Sequence, residues 1–243
     1  MAFKFTYLQY INQVSSSKIP TCKMVKLAVK RHIADMKASE AGTFPYVFEQ
    51  KRAQSAIIFF SQLIHTKGKL AGQKLKPEPW QQFIIAMLYG WRRRDNGKRR
   101  FRRAYIQVAR KNGKSFLAAG VSLYDLLTEP GAEVYSAATK KDQARIVFDD
   151  AKKTVQYSSD LKKYIKPLAH SLTCGDGSMK PLASDSNTLD GLNPSCAIID
   201  EYHAHKTTEL LDVIDTGMRA RVQPLMFIIT TAGNNRNAPC FEE

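Results

Sequence analysis

Features of membrane-inserted and exported chains are missing from this sequence. No apolar run approaches the ~20 residues that a membrane span needs, and Met1-Ala2-Phe3-Lys4-Phe5-Thr6-Tyr7 has neither the apolar core nor the cleavage site of a signal peptide. The cysteines Cys22, Cys174, Cys196 and Cys240 are scattered without a C-x-x-C pair, which argues against a metal knot or a disulfide framework and fits a reducing cytosolic setting. There is no internal repeat, no low-complexity tract and no spaced set of acids that could form a nuclease centre. Acids are scarce altogether: 22 against 37 Lys and Arg, a formal charge of +15. Such an excess calls for a polyanionic partner, either nucleic acid or an anionic surface. With 243 residues and 44% hydrophobic content, the chain can build one large α/β domain with an appendage.

The densest chemical signal is Val108-Ala109-Arg110-Lys111-Asn112-Gly113-Lys114-Ser115. It follows a strand-like run, Tyr105 to Val108, and opens a helix-like run, Phe116 to Leu123. A strand, a tight loop ending Gly-Lys-Ser and a helix form the layout of a phosphate-binding P-loop. Backbone N–H groups at the helix start face phosphate oxygens, and the helix dipole favours their charge. Gly113 lets the backbone approach closely. Lys114 can reach the terminal phosphates, and the Ser115 hydroxyl can ligate Mg²⁺. The first glycine of the general pattern is missing, with Val108 in its place, and a basic surface turn at a strand end remains the alternative.

A second site supports the first. Ala197-Ile198-Ile199 runs into Asp200-Glu201, a buried parallel strand ending in paired acids. Ligands sit at such strand ends in open α/β sheets. Asp200 would hold Mg²⁺ through water, and Glu201 would orient and deprotonate an attacking water.

The rest of the chain alternates. Residues 1–66 read as a helical region, with a break at Phe44-Pro45-Tyr46, and residues 67–243 as the core. Pro79 suits the first turn of a helix reaching Trp91. Gln81 offers a donor and an acceptor side by side, fit for reading adenine or for bonding solvent at a helix start. The basic run Arg92 to Arg103, turning at Asn96-Gly97, is either a contact for a DNA backbone or a solvated hairpin. Beyond the P-loop helix, strands are expected at Ala132–Ala137, Met179–Ser184, Ala197–Ile199 and Leu225–Ile229. Helices are expected at Lys140–Tyr157 and Thr207–Met218, the latter capped by Thr207 or Thr208. Alternation of this kind means a mostly parallel sheet flanked by helices.

Taken in order, Pro79-Trp80-Gln81, Ala109-Arg110-Lys111-Asn112-Gly113-Lys114-Ser115, Asp142-Gln143-Ala144, Asp190-Gly191-Leu192, Asp200-Glu201-Tyr202-His203, Ala220-Arg221-Val222-Gln223-Pro224-Leu225 and Thr230-Thr231-Ala232-Gly233 resemble the large terminase subunit of tailed bacteriophages. The resemblance is strongest over residues 67–235. It implies a P-loop NTPase of the RecA-like class with an added catalytic glutamate. It implies ATP and Mg²⁺ as cofactors, with Arg110, Lys111, Asn112, Gly113, Lys114 and Ser115 around phosphate and metal, Asp200 on the metal, Glu201 as base and Gln81 on adenine. Thr230 and Thr231 would couple hydrolysis to movement. Arg110 would touch the γ-phosphate in cis. Arg221 would be a finger reaching a neighbouring subunit, or else a structural ion pair, with Arg219 and Arg145 as the other candidates. His203 and His205 read as loop packing. The partners implied are double-stranded DNA, the small terminase subunit and the portal protein, with a pentameric ring on the portal, a monomer in isolation and the host cytoplasm as setting. A nuclease half is expected to be missing, since the chain reaches Glu243 soon after the coupling segment. A helicase or remodelling ATPase is the competing enzyme, and a basic nucleic-acid-binding domain with a degenerate site is the non-enzymatic alternative.

Overall fold

A computed structural model describes residues 4–183 and 191–241. The chain forms two compact units, residues 1–62 with 75–101, and residues 63–74 with 102–243. Residues 75–101 therefore belong to the unit of the N-terminal helices.

The first unit contains α1 (Tyr7–Ser15), α2 (Lys23–Glu40), β1 (Tyr46–Phe48), α3 (Gln50–Gln62), α4 (Pro79–Gly90) and β2 (Trp91–Arg93). α4 is its central helix. Phe83, Ile85, Ala86, Met87, Leu88 and Tyr89 are all buried, as expected of a helix that is apolar on most of its faces. Pro79 opens α4, and Glu78 and Gln81 form a reciprocal capping box. The break at Phe44-Pro45-Tyr46 leads into a short strand not expected from the sequence: β1 pairs antiparallel with β2, placing Phe48 opposite Trp91.

The basic run is a hairpin, with the Arg93 amide donating to the Lys98 carbonyl at 2.9 Å. Its tip, Arg94 to Gly97, is exposed, but its two stems are tied to the unit. Arg92 donates to the Tyr89 carbonyl and Arg94 to the carbonyls of Phe44 and Ser39. Arg99 is buried over the Tyr89 ring. Arg100 lies 2.7 Å from Asp35 and faces the rings of Phe44, Tyr46, Trp91 and Phe101. Long arginine stems and planar heads can line an apolar interior in this way. These residues brace their own unit.

The second unit holds the sheet. Its elements are β3 (Arg103–Gln107), α5 (Lys114–Thr128), β4 (Glu133–Ala138), α6 (Lys141–Tyr157), β5 (Lys166–Pro167), β6 (Leu172–Cys174), β7 (Gly177–Ala183), β8 (Cys196–Asp200), α7 (Glu209–Met218) and β9 (Leu225–Thr230). The strand order is β3-β9-β8-β4-β7-β6-β5. β3, β9, β8, β4 and β7 run parallel, and β6 and β5 add an antiparallel edge. β8 and β9 are buried along their whole length, the near-continuous apolar reading of strands covered on both faces. This is the P-loop α/β fold that the motif order implied.

Two local expectations change. The β6–β5 edge was not legible, because strands of two or three residues carry no periodicity. Thr208 stands at the start of α7, but its hydroxyl bonds the Asp212 carboxylate at 2.6 Å instead of capping a backbone amide. Asp190, and with it the first part of the Asp190-Gly191-Leu192 motif, lies outside the described residues.

Candidate active site

Parallel strands exit on one edge of the sheet, and each sequence signal sits at such an exit. The P-loop leaves β3, Asp200 ends β8 and Thr230 ends β9. β9 lies between β3 and β8, so the threonines stand between the P-loop and the acids. Sequence order could not show this, since β9 comes last in the chain.

The loop is built for an anion. Lys111 and Gly113 both take positive φ, 66° and 76°, which turns successive amides toward one concavity. Gly113 adopts this conformation without a Cβ penalty and is the last residue before α5. The Asn112 amide holds the loop by donating to the Ala109 carbonyl at 3.2 Å. Arg110 and Lys111 are exposed, and Ser115 is half-buried in the first turn of α5.

Lys114 is buried, and its Nζ lies 2.8 Å from Glu201 Oε1. Glu201 follows β8 in the left-handed region, φ 49° and ψ 48°, a conformation that a non-glycine residue holds only when its surroundings enforce it. Burial pushes the Glu201 carboxyl up, but hydrogen bonds and charge from Lys114, with His203 and Thr231, outweigh it, and the net shift is downward. Glu201 is thus favoured in its ionised form. Asp200 moves the other way. Burial first, then the adjacent Glu201 charge, raise its carboxyl to about 6, although its Oδ1 accepts the Glu201 amide at 2.9 Å. Adjacent acids with opposite shifts suit different tasks.

Oxygen donors such as Ser115 and Asp200 match the chemistry of Mg²⁺, which takes one or two protein oxygens and completes its shell with phosphate and water. Asp200, buried beside a second carboxylate, would gain most from a cation. Among the described residues no three His, Cys, Asp or Glu side chains form a metal cage.

Thr230 and Thr231 are buried at the end of β9. The Thr231 hydroxyl is 3.3 Å from Glu201 Oε2, and Thr230 Oγ1 donates to the Thr231 carbonyl at 2.9 Å. His203 belongs to the same cluster, with Nδ1 3.2 Å from Glu201 Oε2. The sequence reading assigned it to loop packing. Its signal, a histidine two residues after an acid, is too common to have separated it from His205. His205 is buried against the Tyr202 ring, as packing requires.

Other residues fall elsewhere. Arg221 donates to Glu133 Oε1 at 3.1 Å and to the Asn193 carbonyl at 2.8 Å. Glu133 begins β4 and Asn193 precedes β8, so Arg221 occupies the opposite edge of the sheet. A five-residue strand separates the two edges by roughly 16 Å. Its own sequence carried the signal: Pro224 directly before a buried strand marks the edge where strands begin. Arg219 is exposed, 3.8 Å from Asp215. Arg145 lies in the second turn of α6, which leaves the exit end of β4. Gln81 is buried in the first unit, where its Oε1 accepts the Glu78 amide at 2.9 Å. The acceptor half of the adenine reading is therefore engaged in helix capping.

Among the described residues no helix is long and apolar enough to cross a membrane. The family model described as the terminase large subunit, ATPase domain, matches residues 79–243. The large terminase subunit of Enterobacteria phage HK97 is 31% identical over 195 residues, 76% of this chain and 37% of that protein. Protein YmfN of Escherichia coli K12 is 54% identical over 54 residues, 22% of this chain and 12% of its own. The crystal structure of the HK97 large terminase superposes with a TM-score of 0.65 at 28% identity, covering 79% of this chain and 40% of that one. A mutant ATPase domain of the Thermus phage P74-26 large terminase shares the fold, with a TM-score of 0.50 at 19% identity over 59% of this chain and 64% of its own. The chain thus spans well under half the length of the HK97 protein that it matches. A P-loop facing a strand-end Asp-Glu pair, with β9 between them, and a family model covering these same residues make this chain a member of the terminase large-subunit family, of which it carries the ATPase domain.

Proposed function

We propose that this chain hydrolyses ATP with Mg²⁺ as the motor part of a phage DNA-packaging machine that drives double-stranded DNA into a procapsid. The observation that carries the reading is the Lys114–Glu201 contact at 2.8 Å, which puts the phosphate-binding cation and the base in one site. Lys114 and the loop amides hold the phosphates. Ser115 and Asp200 would hold the metal, whose contribution would be to offset phosphate charge. Glu201 takes the proton of the attacking water. Arg110, exposed on the loop, reaches toward the γ-phosphate in cis. Thr230 and Thr231 carry the change at the phosphate into β9.

Residues 67–243 form the ATPase core in this proposal, although α4 lies in the helical unit. Gln81 is left out of it. For the arginine supplied by a neighbour in a ring, Arg145 on the exit edge is favoured over Arg221. The wider assembly, with small subunit, portal and pentameric ring in the host cytoplasm, follows from the family. This chain is expected not to cleave DNA.

ATP turnover by the chain with its Lys114→Ala and Glu201→Gln variants tests the site. Glu201→Gln should bind Mg·ATP and fail to hydrolyse it, because an amide accepts no proton. Normal turnover in either variant overturns the assignment.

A further inference from the structure

The groups around Glu201 do more than hold it. Its Oε1 is tied to Lys114, while Oε2 is approached by Thr231 Oγ1 at 3.3 Å and His203 Nδ1 at 3.2 Å. His203 Nδ1 is also 3.0 Å from Thr230 Oγ1 and 3.3 Å from Thr231 Oγ1. The proton on that nitrogen can be located from its neighbours. Thr230 gives its hydroxyl hydrogen to the Thr231 carbonyl and accepts the His203 backbone amide at 3.0 Å. Toward the imidazole, therefore, Thr230 offers only a lone pair, and so does the ionised carboxylate of Glu201. A bare Nδ1 would face both without a hydrogen between them. With the Thr231 hydroxyl donating to Glu201 Oε2, the network is satisfied by Nδ1–H, a single hydrogen within reach of the catalytic carboxylate and of the last residue of β9.

We propose that His203 is the positioning residue of this site: its Nδ1–H links the Glu201 carboxylate to Thr230, so that the base and the end of β9 shift together. The inference rests on the reading of Glu201 as the base. Its physical content is competition. Phosphate oxygens draw on the same Lys114 charge that holds Oε1, so a bound nucleotide loosens that tie. The Oε2 ties from His203 and Thr231 then set where the carboxylate points. His203 is packed against the exit of β9: a Cβ built on Gly233, just past the threonines, would come within 2.9 Å of the His203 Cβ. The exit of β9 thus touches His203 through backbone, hydroxyl and ring together.

The test compares His203→Ala, His203→Asn and His203→Gln in the 243-residue chain, measuring ATP turnover and the affinity for a fluorescent ATP analogue with Mg²⁺. The amide nitrogen of asparagine occupies nearly the place of Nδ1, and that of glutamine the place of Nε2. His203→Ala should lose roughly 10- to 100-fold in kcat, as when other orienting partners are removed, with nucleotide affinity unchanged. His203→Asn should recover most of the rate, and His203→Gln should not. Wild-type turnover in His203→Ala overturns the proposal. So does equal loss in the Asn and Gln variants, which report independently if the alanine variant fails to fold. Glu201→Gln, measured alongside, separates the two readings: if it turns over normally, the base assignment has failed, whereas an inactive Glu201→Gln beside a fully active His203→Ala refutes His203 alone.

Discussion

In the helical unit Arg100 lies 2.7 Å from Asp35 beneath aromatic rings, and in the sheet unit Lys114 lies 2.8 Å from Glu201. Both ion pairs are largely shielded from water, yet their surroundings differ. The rings of Phe44, Tyr46, Trp91 and Phe101 surround Arg100, and the neighbouring His32 is held neutral. Burial first, then the charges of Arg100 and Arg31, push His32 down to about 4 against the pull of Asp35, and its Nδ1 accepts the Trp91 indole N–H at 3.2 Å. There the Arg100 charge meets the Asp35 carboxylate and faces of aromatic rings. Around Lys114 the balance is deliberately poor. Asp200 is raised to about 6, Glu201 is shifted down, and the loop turns its amides toward a charge that the protein does not supply. A cation packed against aromatic rings beside one carboxylate is architecture. One set among mismatched acids is a place for a ligand.

That contrast can be broken at several points. The largest effect is expected from Arg100→Ala. Removing one partner leaves the half-buried Asp35 with only the weaker pull of Arg31, at a cost of about 3 kcal/mol, the low end for a buried pair. Trp80 and Trp91, the only tryptophans, both lie in this unit, so intrinsic fluorescence during denaturation reads the loss directly. An unchanged midpoint would show that Arg100 is not part of the framework.

Lys114→Ala comes next and should behave oppositely. Turnover should fall by on the order of 10²–10³-fold, as when one preorganised electrostatic group is removed, while the tryptophan-detected midpoint stays put. A large fall in that midpoint would erase the distinction between the two cations.

Acid gives a third test. His32 protonates near 6.5 when unfolded but only near 4 when folded. Between those values the unfolded chain binds the extra proton, so stability falls as pH drops from about 6.5 to about 4, by roughly 3 kcal/mol, and is fully present above that window. His32→Asn keeps an acceptor for Trp91 without a titrating group. It should flatten this part of the stability profile measured by fluorescence, and an unaltered slope would assign the acid loss to other groups.

The smallest effect is expected at Arg221, a partly buried pair with Glu133 on the far edge of the sheet. Arg221→Ala should cost about 1 kcal/mol and leave ATP turnover unchanged at any protein concentration. A turnover defect that appears only on assembly would restore its role as a finger.

The sequence by itself determined the elements whose signals are local. The Gly113-Lys114-Ser115 loop, the apolar run ending at Asp200-Glu201 and Pro79 at the start of α4 all depend on neighbours within one turn or one strand, and each lies where expected. The parallel sheet follows from the alternation of helix and strand. Tertiary structure alone decided what depends on strand order and on burial by distant residues. It inserted β9 between β3 and β8, which brought Thr231 to Glu201 and made His203 part of the site. It closed a capping box on Gln81 and set Arg99 and Arg100 against aromatic rings while leaving Arg94 at the exposed tip of the hairpin, a division that composition could not show. The physical reason is common to all of these. A side chain's type fixes what it can donate, accept or neutralise, but only the packing of remote segments fixes which partners are within a hydrogen bond's reach and whether water is there to compete.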